Sequence, residues 1–217
     1  MVFDNSLEKR IKKGLSYIES NNITEAQKLF EEIANDKNSE LIGYLFLGII
    51  QIKIKNFTVA KSFFNRILIV EPNNEDANLN LGLVFLEEKN YEKAILFFDK
   101  VIKISKNNLN AHYHKGLSYF LIQKYDKAID TFKVCTELNK NFYPSYLNLG
   151  HIYLRTKNFE KSIENYNEVL KFDPNNNNAK FNLAWNYFAM MKLDSAFKYY
   201  EFRHGKVNPN TKILEII

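Results

Sequence analysis

Ala77-Asn78-Leu79-Asn80-Leu81-Gly82-Leu83-Val84-Phe85-Leu86 leads, through the turn Lys89-Asn90-Tyr91, into Glu92-Lys93-Ala94-Ile95-Leu96-Phe97-Phe98. Both runs carry apolar residues at helical spacing, so the stretch predicts a helix hairpin. Its glycine opens the rest of the chain. Gly14, Gly48, Gly82, Gly116 and Gly150 are five of the seven glycines, and each follows the last by 34 residues. Twelve residues beyond each comes Ala26, Ala60, Ala94, Ala128 and Ser162, with Ala196 continuing the series. Sixteen beyond stands an aromatic: Phe30, Phe64, Phe98, Phe132 and Tyr166, then Tyr200. Pro72 and Pro174 lie three periods apart. Several columns in one register mean a stacked repeat architecture.

Numbering each unit 1 to 34 with glycine at place 8 divides the chain into 7–40, 41–74, 75–108, 109–142, 143–176 and 177–210. Residues 1–6 form a lead-in and 211–217 a tail. Thr24, Thr58, Glu92, Asp126, Glu160 and Asp194 open the second helices. Acids there complement the helix dipole, and threonine suits N-terminal positions. Loops such as Glu71-Pro72-Asn73-Asn74 close the units, because proline cannot continue a helix. Glycine inside a helix costs about 0.5–1 kcal/mol relative to alanine. A cost repeated at place 8 needs a repeated gain. Small residues at places 8 and 20 let two helices approach closely, and the aromatic at place 24 packs across them.

These columns resemble the tetratricopeptide (TPR) repeat family over residues 7–210: Leu at place 7, Gly at 8, Tyr or Phe at 11, Ala at 20, an aromatic at 24 and Pro at 32. The resemblance implies an all-α fold, a right-handed α-solenoid of six helix-turn-helix repeats whose inner groove binds peptides or protein elements. Departures fall mostly at the ends, where Lys13 replaces leucine and Ala184 replaces glycine.

Composition agrees with a folded chain: 217 residues, 46% hydrophobic and 25% charged. One cysteine excludes an internal disulfide framework and a cysteine-based zinc site. No secretory signal is readable in the first residues, and the longest apolar run, Leu41 to Ile50, reaches half of the roughly 20 residues that cross a bilayer. A cytoplasmic location is the resulting expectation. The net charge of +5 is interspersed, and only Arg10, Arg66, Arg155 and Arg203 are arginines. That scarcity argues against nucleic acid, since base and bidentate phosphate contacts favour arginine.

Places 4, 7, 8 and 11 of each first helix share one stripe, which packs on the second helix. Places 2, 6, 9 and 13 point the other way and, by the family resemblance, line the groove. Ile42, Phe46 and Ile49 put apolar surface there, the kind that marks contact with a partner. Asn80, Asn148 and Asn182 recur at place 6, with His114 completing the column. An amide both donates and accepts, so such a ladder reads the backbone of an extended peptide. It resembles the asparagine ladder of O-linked N-acetylglucosamine transferases, which implies peptide binding at these three residues; Lys12 and Phe46 break the pattern. His151, Arg155 and Trp185 complete the predicted face. The carboxylate clamp of chaperone-binding TPR domains cannot be assembled from this sequence.

Catalytic chemistry does not emerge. Cys135 takes place 27, where Ile33, Ile67, Val101 and Val169 stand in other units, a packing site. His112 and His114 diverge on a helix and cannot share an ion. No phosphate loop is present, and Lys93, Lys127 and Lys161 read as a solvated face. The expectation is therefore a non-catalytic binding module with no cofactor and no metal, whose partner is a protein or peptide. One alternative comes from the last unit. The segment Tyr199-Tyr200-Glu201-Phe202-Arg203-His204 resembles the final repeat of bacterial TPR–glycosyltransferase proteins, which would make the chain a substrate-recognition arm. The apolar tail Thr211-Lys212-Ile213-Leu214-Glu215-Ile216-Ile217 adds the expectation of docking at this end.

Overall fold

The computed structural model describes residues 5–200. Among them are twelve α-helices and no strand: α1 (Asn5–Glu19), α2 (Ile23–Ala34), α3 (Glu40–Lys53), α4 (Phe57–Val70), α5 (Glu75–Glu87), α6 (Tyr91–Ile104), α7 (Leu109–Leu121), α8 (Tyr125–Leu138), α9 (Tyr143–Arg155), α10 (Phe159–Phe172), α11 (Asn177–Ala189) and α12 (Leu193–Tyr200). The expected helix pairs are all there. Second helices begin one residue before the predicted start, at the apolar residue following the turn. The chain divides into two compact units, one ending at Ser118 and the other beginning at Tyr119.

In the first unit, the glycine column does what its spacing implies. A Cβ built on Gly48 would lie 2.5 Å from Cε1 of Phe64, and one on Gly82 would lie 2.5 Å from Cε1 of Phe98. Both rings are fully buried. The second unit repeats the device, with Gly150 against Tyr166 at 2.7 Å. A further small-residue column at place 3 was not anticipated: Gly43, Ala77, Ala111, Ser145 and Ala179 are all buried. At Gly43 the reason is contact between repeats, since a Cβ there would meet the backbone nitrogen of Ala34 at 2.5 Å. Leucines at place 7 (Leu47, Leu81, Leu149 and Leu183) fill the space beside these approaches.

The turn between paired helices has its own period. Asn21, Lys55, Lys89, Gln123, Lys157 and Met191, all at place 15, adopt φ between 57° and 60°. The amide of Asn56 donates to the carbonyl of Gln51 at 2.8 Å and that of Lys55 to Ile52 at 2.9 Å. This is the left-handed helix ending in which glycine is the usual residue. The following residue is at once the end of one helix and the cap of the next: Oδ1 of Asn90 accepts from the amide of Lys93. Asn74, Asn108 and Asn176 cap first helices in the same way, accepting from Ala77, Ala111 and Ala179 at 2.8–3.0 Å. The lysine column at place 19 is exposed but not idle. Lys93 lies over the Phe85 ring, Lys127 over Tyr119 and Lys161 over Tyr153, at 5.4, 5.7 and 5.6 Å.

Candidate functional site

In the first unit the predicted face proves to be mostly packing. Phe46 stacks on Phe30 with ring centroids 4.6 Å apart. Ile42 and Phe46 lean on the cluster of Ala26, Phe30, Ile33, Leu47 and Ile50, while Ile49 leans on the next cluster, around Phe64 and Leu81. All three are half-buried, Ile42 and Phe46 against α2 of the preceding repeat and Ile49 against the cluster that α4 and α5 share. Asn80 Nδ2 donates to the carbonyl of Asp76, one turn back, at 2.8 Å. His114 stacks on Phe98 at 5.8 Å and meets Tyr113 edge-on. Its Nδ1 is buried without a hydrogen-bond partner, and burial lowers its pKa below the ordinary 6.5.

The second unit brings its candidates together. Asn182 Nδ2 lies 3.0 Å from Nε2 of His151, which joins α11 to α9 through two of the predicted residues. With the amide as donor, the imidazole carries its proton on Nδ1. Burial holds the pKa of His151 below its ordinary value, so the ring is neutral at pH 7. Arg155 is exposed one turn further along α9, with its guanidinium 5.9 Å from the Phe120 ring centre. Trp185 follows Asn182 by three residues on α11, is 39% exposed, and is braced edge-to-face by Phe181 and Phe188. Asn148 turns its Nδ2 back to the carbonyl of Pro144 at 2.9 Å. The asparagine column is therefore not three equivalent rungs. Asn80 and Asn148 each donate to a carbonyl one turn back on their own helix, and Asn182 bridges from α11 to α9.

Beneath this patch runs a buried polar chain that sequence reading missed. Ser162 Oγ donates to the carbonyl of Gly150 at 2.8 Å and accepts from Asn186 Nδ2 at 3.0 Å. Asn186 Nδ2 also reaches the carbonyl of Asn182 at 2.9 Å. Ser162 was visible as the break in the alanine column, but Asn186, 24 residues away, offered no matching signal. Cys135 is fully buried and burial raises its thiol to about 11, so it packs as expected. Among the described residues no three His, Cys, Asp or Glu are grouped to hold a metal ion, and no helix is long and apolar enough to cross a membrane. Arg203 and the tail 211–217 lie outside the described residues.

Residues 143–176 match the family described as tetratricopeptide repeat. Those bounds coincide with the fifth unit as the glycine register divides it. The chain carries TPR repeats. Residues 54–135 also match the family described as anaphase-promoting complex, cyclosome, subunit 3. Solved TPR-type structures align with most of the chain. That of Pseudomonas aeruginosa PilF is 16% identical with a TM-score of 0.78, covering 88% of this chain and 87% of its own. A crystal structure of MamA is 24% identical, TM-score 0.70, covering 75% and 89%. YrrB, described as a TPR protein with an unusual peptide-binding site, is 17% identical, TM-score 0.67, covering 80% and 90%. At such identities the likeness shows the all-α solenoid fold alone. No curated protein matches the chain.

Proposed function

We propose that this TPR protein is an interaction scaffold that holds a peptide or protein element against the exposed faces of its first helices, above all α9 and α11. One observation carries the reading. The His151–Asn182 bond joins the two helices that carry an exposed arginine and an exposed tryptophan in a neutral, polar floor, and buried polar contacts hold that floor in place. Rigid placement before binding lowers the ordering cost that a ligand must overcome. Aromatic and arginine side chains are also the residue types that dominate binding energy at interfaces. The same fold carries a peptide-binding site in YrrB, which supports the reading without locating it.

Random peptides displayed on phage and selected on the 217-residue chain supply the test. Selected peptides are expected to bind an Asn182→Ala/Trp185→Ala variant at least about tenfold more weakly, which is the loss of one interface anchor. Its melting temperature should stay within a few degrees. Equal binding by both proteins would refute the assignment. The glycosyltransferase-arm alternative takes the same face and differs in its partner. Co-purification of a sugar-nucleotide-dependent activity with the chain would favour it.

A further inference from the structure

We infer that the α9–α11 face selects an acidic partner, an extended segment in which Asp or Glu alternates with large apolar side chains. The inference rests on the peptide-binding reading above and narrows it to a ligand class.

The first observation is charge. Neither α9 nor α11, 13 residues each, contains a single Asp or Glu, and their cations are Arg155 and Lys180. An even spread of the chain's 25 acids over 217 residues would place about three in these helices. Between residues 143 and 189 the acids are Glu160, Glu164, Glu168 and Asp173, all on α10 or the loop after it. Glu168 there already pairs with Lys171 at 2.5 Å, and Asp173 accepts from the Asn175 amide. Segregation of this kind is not general to the fold. In the first unit α5 carries Glu75, Asp76 and Glu87 and no cation.

The second observation is that Arg155 has no carboxylate partner among the described residues; the Phe120 ring is its neighbour instead. An exposed guanidinium propped on an aromatic keeps its planar donor fork for a carboxylate from outside. The third is the apolar shelf. Trp185, braced by Phe181 and Phe188, follows Asn182 by three residues on α11, as Arg155 follows His151 by four on α9. Side chains of an extended strand point to one face at every second residue. A segment laid across the floor thus presents a carboxylate to Arg155 and an apolar group to Trp185. Because His151 is neutral at pH 7, it adds a hydrogen-bonding edge and no competing charge.

Two fluorescent peptides test this: one alternating Asp or Glu with Phe or Leu, and its counterpart with Asn and Gln in place of the acids. The acidic peptide is expected to bind about tenfold more tightly. Arg155→Gln should weaken it about fivefold, the upper range for a partly exposed ion pair. Its affinity should fall with added salt, while Trp185→Ala weakens both peptides. Both substitutions are of exposed side chains, and unchanged melting temperatures verify folding. Equal affinities for the two peptides, lowered by Trp185→Ala, would overturn acidic selection while leaving the peptide reading standing. Binding of neither peptide would overturn both. A single-stranded oligothymidine that displaces the acidic peptide equally well, and loses that ability in Arg155→Gln, would assign the face to nucleic acid instead.

Discussion

Gly82→Ala puts the packing logic of the repeat under the most direct strain. The added methyl would sit 2.5, 2.8 and 3.0 Å from Cε1, Cδ1 and Cζ of Phe98. Ordinary carbon contacts lie at about 3.5–4.0 Å, so ring or helix must move by roughly 1 Å. Phe98 has no room to yield, being fully buried among Ala94, Val101 and Ala111. Overpacking of this kind costs about 1–3 kcal/mol, and alanine's better helix propensity returns about 0.5–1, leaving a net loss of about 0.5–2 kcal/mol. Urea unfolding followed by far-ultraviolet circular dichroism reads the loss as a lower midpoint at unchanged slope. Repeat arrays can unfold in parts, so amide exchange in α5 and α6 localises the effect. Phe98→Leu shortens the obstructing ring, so the double variant should be more stable than the sum of the two losses predicts, by about 1 kcal/mol. Stability of Gly82→Ala at or above that of the parent, or strict additivity in the cycle, would show that the glycine column does not exist to admit the aromatic.

Three further outcomes follow from the same structure. Lys89→Gly relieves a left-handed residue at φ 59°, and should stabilise the chain by about 0.5–1 kcal/mol in the same urea assay; a loss would mean the lysine contributes more than its backbone costs. Ser162→Ala breaks the link between Gly150 and Asn186, with an expected loss of about 1–2 kcal/mol and greater exchange in α11. His114 and His151 both titrate below their ordinary value because they are buried. The unfolded chain therefore binds more protons than the folded one just below pH 6.5. Their contribution to stability is complete above that pH and declines as pH falls through it. Urea midpoints should drop between pH 7.5 and 5.5, and a His114→Asn/His151→Asn variant should drop less; an equal drop would refute the assignment.

Periodicity made the helix pairs legible, because glycine, alanine and aromatic columns are local features that recur at a fixed interval. Much of the remainder depended on which helix lies beside which. Ile42, Phe46 and Ile49 looked like a free apolar face when set against their own partner helix. Helices of the adjoining repeats, α2 and α5, half-bury them, so their replacement by serine would lower stability as well as test binding. The asparagine column predicted equivalent readers, yet Asn80 and Asn148 bond to their own helices, a choice open to any helical asparagine with a carbonyl one turn back. Asn182 takes a different partner because His151 stands opposite. The left-handed residue at place 15 escaped notice since lysine, asparagine, glutamine and methionine fill it and glycine never does. Ser162 announced itself by breaking a column, but its bond to Asn186 needed two helices to be placed.

Trp185 is the only tryptophan, so its fluorescence reports on the proposed binding face without a label. The decisive measurement is acrylamide quenching of that emission with and without the alternating acidic peptide. A severalfold fall in the quenching constant on saturation, absent for peptide added to Asn182→Ala at the same concentration, is the predicted result. A tryptophan that remains equally accessible when the peptide is bound would contradict the account.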